Sequence, residues 1–424
     1  MKKGFFKNDK IKAKTDSDCT MNTTDLKIQI LADSDITETR YMPAGADEDQ
    51  SLRLKNMSKV VKEYSPVPLI TTEQCELSNK WLKLFKAIDE ADWQNAQTSF
   101  KEIPASDRLL KVLKGVHTEE YLLEIIQNCI LAHKTGIKRL NSDIVITPKT
   151  FEILMKDCAL TLMSTTKATF SFGLPSHHAF SETGTGFCVL NKTALLIKHA
   201  ELTSSKPLQY MVVGTDVNRD NGLCDVLRRQ FSHLPICHID VFDSRVYPGQ
   251  NAEDINLEFS TKGTTTQQKI QKWSSDKYDY FMVDLKDTYR KKVGVHPALL
   301  FALEQIKEKV KLAKSKGIQI ALLMPTGWDS HEDETAPCGK FVDGRMMGYE
   351  SAKTYRFNDG DLSYFYEEVF KLYNDNPDCF ASLYWGLEGG YDNTMYTKQI
   401  KLLMQLISKE LVPKATHSTP LNQL

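Results

Sequence analysis

Four short segments hold most of the residues in this chain that could do chemistry. The first runs Ser176, His177, His178, Ala179 and continues to Gly186, Phe187 and Cys188. The second is DVNRDNG, Asp216 to Gly222; the third is TGWDSHED, Thr326 to Asp333; the fourth is LEGGYD, Leu387 to Asp392. Adjacent imidazoles can pass protons, carboxylates can hold a cation, and a phenol can donate to a developing oxyanion. Singly, each segment also looks like an ordinary strand end, because Asp, Asn and Gly are common turn and cap residues. Their order along the chain, each after an apolar run, makes them a set.

The elements that must position them are legible as short apolar runs. LKIQIL (26–31), YMVVGTDV (210–217), LPICHIDVF (234–242), YDYFMVDL (278–285), IQIALLMP (318–325) and CFASLYWGL (379–387) are apolar nearly throughout, as strands buried on both faces should be. Amphipathic patterns predict helices over 51–64, 74–90 and 119–133, and over 297–317, where Gly317 stops the helix just before a strand. Strands alternating with helices imply an α/β fold: a mostly parallel sheet covered on both faces, three layers α/β/α, with its ligand site beyond the carboxyl ends of the strands.

With those residues in place, the chain resembles the zinc-dependent histone deacetylases and their acetylpolyamine amidohydrolase relatives, which share the arginase-like α/β fold. SFGLPSHHAFSETGTGFCVLN (171–191) is similar to the family's paired-histidine segment, including the spacing to Gly-Phe-Cys. VHTEEYL (116–122) resembles a family helix start, and VYPGQ (246–250) its aromatic-Pro-Gly tunnel segment. TGWDSHED and LEGGYD look like its Asp-x-His and Gly-Gly-Tyr loops.

The resemblance implies that His177 and His178 handle the proton of the attacking water and the leaving amine, with Asn221 as a histidine partner. It implies that Asp216, Asn218 and Asp329 occupy the metal-ligand positions, and that Tyr391 polarises the scissile carbonyl. Gly186 would floor the acyl-lysine tunnel, with Phe187 and Tyr247 as its walls. One divalent metal is implied, zinc by family. The chemistry is coherent, since hydrolysis of an unactivated amide needs an acidified water, a base, an acid for the amine and an oxyanion donor.

Three positions depart from the family pattern. Asn218 stands where a metal-binding histidine is expected, which makes the ligand set all oxygen and opens the site to Mn, Mg or Fe. Gly214 stands where a carboxylate would orient one active-site histidine, so His177 is expected to lack its carboxylate partner. Ser176 replaces a glycine, and His238 replaces a serine near the family's structural potassium, so that cation is not expected in its family form.

Composition sets the remaining bounds. Fifty-four Lys and Arg against 55 Asp and Glu leave a net charge of −1, without the basic excess of a phosphate-driven nucleic-acid binder. No segment reads as a membrane span or signal peptide, and nine scattered cysteines fit reduced thiols; a soluble, cytoplasmic protein is expected, with specialised export left open. Polar tails are expected at 1–24 and 413–424, around one deacetylase-like domain at 25–412. The expected activity is a metal-dependent amide hydrolase acting on acylated lysine in peptides or proteins, or on a related acylated amine. The alternative is a pseudo-deacetylase that keeps the fold as a binding module; a binuclear ureohydrolase would need more His and Asp ligands than these loops offer. Cys338, in APCG (336–339), sits where polyamine enzymes carry Glu, which favours acyl-lysine substrates.

Overall fold

The computed structural model describes residues 28–33, 50–141, 144–164, 168–248, 270–288, 294–335, 341–342, 345–346 and 355–412. The expected tails at 1–24 and 413–424, and APCG, lie outside them. A nine-stranded sheet runs in the order Leu69–Ile70, Ile28–Leu31, Ala168–Ser171, Phe380–Leu387, Gln319–Thr326, Leu208–Gly214, Ile236–Phe242, Tyr278–Asp284, Gln271–Ser275. Every neighbouring pair is parallel except the last, where Gln271–Ser275 returns antiparallel along the edge.

The apolar runs form strands because both of their faces are buried. Along Leu208–Gly214, Tyr210 and Val212 enter one core while Met211 and Val213 enter the other. In Gln319–Thr326, Ala321 and Leu323 face the first core; Ile320, Leu322 and Met324 face the second. Side chains alternate across a strand, so a sheet between two helical layers needs apolar residues at both parities. Helices including Glu119–Thr135, Thr150–Leu162 and Lys192–Thr203 cover one face, and Pro297–Lys316, Asp359–Asp375 and Asn393–Glu410 the other. The expected three-layer α/β/α architecture is the one observed.

Two expectations need correction. The helix expected at 74–90 is a short turn at Thr72–Gln74 followed by a helix at Asn79–Asp89, with a second helix at Trp93–Lys101. The start is displaced because Cys75 and Ser78 are extended, at ψ 109 and 157; beyond the helix, Ala91 takes φ 55 and the Asp92 carboxylate accepts the Asn95 N–H at 2.9 Å, starting the second one. The run 210–217 is strand only to Gly214, which leaves Asp216 in the loop beyond the strand end. Gly317, at φ 63, ends its helix as expected.

The strand order brings the four segments together. Ala168–Ser171, Phe380–Leu387, Gln319–Thr326 and Leu208–Gly214 are consecutive in the sheet, and all point their carboxyl ends the same way. The loops 172–188, 388–392, 327–333 and 215–220 therefore open at one edge. Two backbone bonds lock neighbouring loops at their roots: Glu388 N–H donates to Thr326 O at 2.7 Å, and Thr215 N–H to Pro325 O at 3.1 Å.

Candidate active site

His177 and His178 are both 3% exposed, and their rings lie 3.9 Å apart, centroid to centroid. Glu388 holds the backbone beneath them, accepting from Ser176 N–H, from the Ser176 hydroxyl at 2.6 Å and from His177 N–H at 3.2 Å. His178 Nδ1 faces the Asn221 side-chain oxygen at 2.6 Å. An amide oxygen only accepts, so Nδ1 carries the proton and Nε2 of a neutral His178 keeps its lone pair. Burial and the neighbouring His177 push His178 well below the ordinary histidine value. For His177, burial opposes charging, but Asp216, Asp220 and Glu388 outweigh it and raise the ring to about 10. Two adjacent imidazoles, tilted 41° to each other, are thus pushed toward opposite protonation states, the pattern that separates a base from an acid.

The carboxylates of Asp216 and Asp329 face each other beside the pair. Asp216 accepts from Asn218 N–H at 2.8 Å and Gly389 N–H at 2.9 Å, and Asp329 accepts from Val217 N–H at 3.2 Å. A Cβ placed on Gly389 would lie 1.8 Å from Asp329 Oδ2 and 2.7 Å from Asp216 Oδ2; on Gly327 it would meet Asp216 Oδ2 at 1.8 Å. Glycine at both positions therefore leaves the space that the two carboxylates fill. Burial first, then the Asp216 charge, raises the Asp329 carboxyl well above the usual range. A like-charged pair closed in this way can be relieved by a proton or by a cation. Asn218 reaches Asp216 through its backbone N–H, and its side chain donates Nδ2 to the Tyr247 carbonyl at 2.7 Å. The two adjacent carboxylates, as hard oxygen donors, fit a divalent cation.

Aromatic side chains and glycine line the approach. Gly186 takes φ 51, and a Cβ there would meet His178 Cδ2 at 2.5 Å and Tyr247 Cε1 at 3.1 Å, so both conformation and space require glycine. Tyr247 packs edge-on to His178 at 5.2 Å, and Phe187 edge-on to Tyr391 at 6.4 Å. The backbone N–H of Tyr391 donates to buried Glu334 at 2.6 Å. The structure thus brings Gly186 and Tyr247 against His178, with Phe187 beside Tyr391.

The sequence model of the histone deacetylase domain matches residues 75–294, just over half of the chain. The chain belongs to the histone deacetylase family. In structure this family member is similar to the HDA15 HD domain, with a TM-score of 0.55 over 89% of this chain and 90% of that one, at 14% sequence identity. At that identity the likeness speaks for the fold. No curated protein matches the chain. Among the described residues, no helix is long and apolar enough to cross a membrane. The seven described cysteines are free thiols, six of them buried.

One expectation for this deacetylase-family site is overturned. His177 does not lack a carboxylate: its Nδ1 lies 2.8 Å from Asp220 Oδ1. Burial works against the Asp220 charge, but hydrogen bonds to His177 and His238 hold its pKa at about 2. At the family's monovalent-cation position, Gly214 gives no side-chain oxygen, and both ring nitrogens of His238 are engaged, by Asp220 Oδ2 and the Tyr278 hydroxyl, each at 3.0 Å. That donor set does not fit the family's potassium site. The sequence reading also missed Glu388 under the histidines and Arg53, whose guanidinium donates to the carbonyls of Gly390 at 2.7 Å and Glu388 at 2.5 Å. Glu388 carried a signal, lying immediately before the Gly-Gly-Tyr step; Arg53, in a helix more than 300 residues away in sequence, carried none.

Proposed function

We propose that the chain is a metal-dependent amide hydrolase that removes an acyl group, acetyl by family, from lysine side chains in peptides or proteins. The observation that carries this reading is the histidine pair: adjacent at 3.9 Å, buried, tied at both Nδ1 atoms and pushed toward opposite protonation states. Asp216, Asp329 and the Asn218 side-chain oxygen would hold the cation, which when bound supplies Lewis acidity to the water and the scissile carbonyl. Mn, Mg or Fe suits these oxygen donors better than zinc does. His178 takes the proton of the attacking water at Nε2, the lone pair that Asn221 keeps open. His177 delivers a proton to the departing amine. The Tyr391 phenol donates to the oxyanion, while Phe187 and Tyr247 flank the acyl-lysine stem over Gly186. The reading treats residues 25–412 as one unit, since strands near both ends of that range pair in one sheet through Ala168–Ser171.

A panel of fluorogenic acyl-lysine peptides, assayed with Mn2+, Fe2+, Mg2+ and Zn2+ added separately to EDTA-stripped protein, tests the reading. Metal-dependent release of acyl product supports it, and its absence with every cation sinks it. The second reading, a pseudo-deacetylase that binds without hydrolysing, has its own observation: the Asn218 amide is spent in part on the Tyr247 carbonyl, where a ligand imidazole would serve the metal alone. Acyl-lysine binding without turnover favours it.

A further inference from the structure

Asp220 stands at the N-cap of the helix Asn221–Gln230, the position at which an aspartate ordinarily caps the first backbone N–H groups. Its side chain makes no capping bond. The carboxylate instead turns into the sheet edge, 1% or less exposed, with Oδ1 on His177 Nδ1 and Oδ2 on His238 Nε2. A Cβ built on Gly214 would lie 2.1 Å from Asp220 Oδ2 and 2.8 Å from its Cγ. The Asp220 carboxylate therefore occupies the space into which a side chain at 214 would grow, and the two cannot coexist.

We infer that Asp220 is the positioning residue for His177, a carboxylate supplied from position 220 in place of one at position 214, and that His238 is the residue that holds Asp220 in that pose. The acceptor-only carboxylate requires a proton on both facing nitrogens, His177 Nδ1 and His238 Nε2. It thereby aims His177 Nε2 at the Asp216 side of the site, 3.8 Å from Asp216 Oδ2. His238 is in turn fixed by the Tyr278 hydroxyl at 3.0 Å and by packing on Tyr280, ring centroids 4.9 Å apart. Asp240 completes the cradle, accepting from Asp220 N–H at 3.1 Å and from the Tyr280 hydroxyl at 2.6 Å. The chain of contacts His177–Asp220–His238–Tyr278 thus runs inward from the site to the strand Tyr278–Asp284. Its catalytic meaning rests on the proposed function, whereas the contacts themselves do not.

Moving the carboxylate back tests the inference. Asp220→Gly keeps a tolerated cap residue and removes the carboxylate; Gly214→Asp alone collides with Asp220; the double variant Gly214→Asp/Asp220→Gly exchanges the two. Imidazole 15N–1H spectra of full-length protein should show a hydrogen-bonded Nδ1 proton on His177 in wild type, lose it in Asp220→Gly and regain it in the double variant. Melting temperature should fall in each single variant and recover in the double. His238→Ala should weaken the same proton signal and His238→Gln, which can still donate to Asp220, should retain it. If Asp220→Gly does not fold, Asp220→Ala serves, since it also removes both carboxylate oxygens. A His177 signal unchanged in Asp220→Gly or Asp220→Ala, or a double variant melting no higher than the weaker single, overturns the inference. Where wild type hydrolyses acyl-lysine, Asp220→Gly should also lower kcat by about 10- to 100-fold with little change in KM. If wild type has no turnover, the spectra and melts still decide the positioning, and only the proposed function fails.

Discussion

The guanidinium of Arg53 lies 4.8 Å above the ring of Tyr391 while donating to the carbonyls on either side of Gly389. One buried cation from the helix Gln50–Tyr64 thus fixes both the loop that carries the tyrosine and the face of its ring. Arg53→Ala leaves those carbonyls without their charged donor and should destabilise the fold by about 3 kcal/mol. Arg53→Lys should recover only part of this, because an ammonium cannot reproduce the planar fork. Chemical denaturation of the three proteins checks it, and equal stability of Arg53→Ala and wild type would remove the clamp from the account.

Cation binding should strengthen as pH rises. The Asp329 carboxyl is raised by burial and by Asp216, so its proton stabilises the cation-free fold below the ordinary carboxylate pKa, and that contribution is lost as pH climbs through the raised value. His177, raised to about 10 beside Asp216, adds a second charge that a cation must overcome. A cation competes with both protons, and its effect therefore has the opposite sign. The gain in melting temperature from Mn2+ over EDTA should be larger at about pH 8 than at about pH 5, and mostly lost in Asp329→Asn. A gain that ignores pH, or survives Asp329→Asn, would place the cation elsewhere.

Six strands were legible in sequence because each is a run apolar at both parities, which a strand between two helical layers needs. Three others escaped notice: Ala168–Ser171 is buried but only four residues long with two of them hydroxylated, Leu69–Ile70 is two residues long, and the edge strand Gln271–Ser275 is half-buried or exposed. The four loops were legible as polar clusters that follow apolar segments, and the structure adds that their strands are adjacent in the sheet. What the sequence hid was lateral reach. Asp220 reads as a helix cap and Gly214 as a missing carboxylate; only the packed sheet edge shows that one carboxylate fills the space of the other. Arg53 reads as one basic residue on an amphipathic helix, and its partners are set by where that helix docks.

Asn218→His should raise zinc occupancy, because imidazole is the better zinc ligand and both flanking carboxylates are already in place. The same change removes the Asn218 bond to the Tyr247 carbonyl, so a small loss of stability in the metal-free protein should accompany it. Metal analysis of both proteins after equilibration with equal Zn2+ and Mn2+ decides the matter. Equal or lower zinc in the variant would mean that the loop after Gly214 cannot place a ring nitrogen on the Asp216 and Asp329 cation.

Tyr391 separates a catalytic phenol from a packing ring. Its backbone is held by Glu334, and its ring is bracketed by Arg53 and Phe187, none of which needs the hydroxyl. Tyr391→Phe keeps these contacts and should still fold. If the hydroxyl donates to the developing oxyanion, its loss is felt in the transition state more than in the bound substrate, and kcat on an acyl-lysine peptide should fall about 100-fold or more with KM little changed. A ring that only packs predicts unchanged turnover. Retained kcat in a well-folded Tyr391→Phe would strip the tyrosine of its role and leave oxyanion stabilisation to the cation held by Asp216 and Asp329.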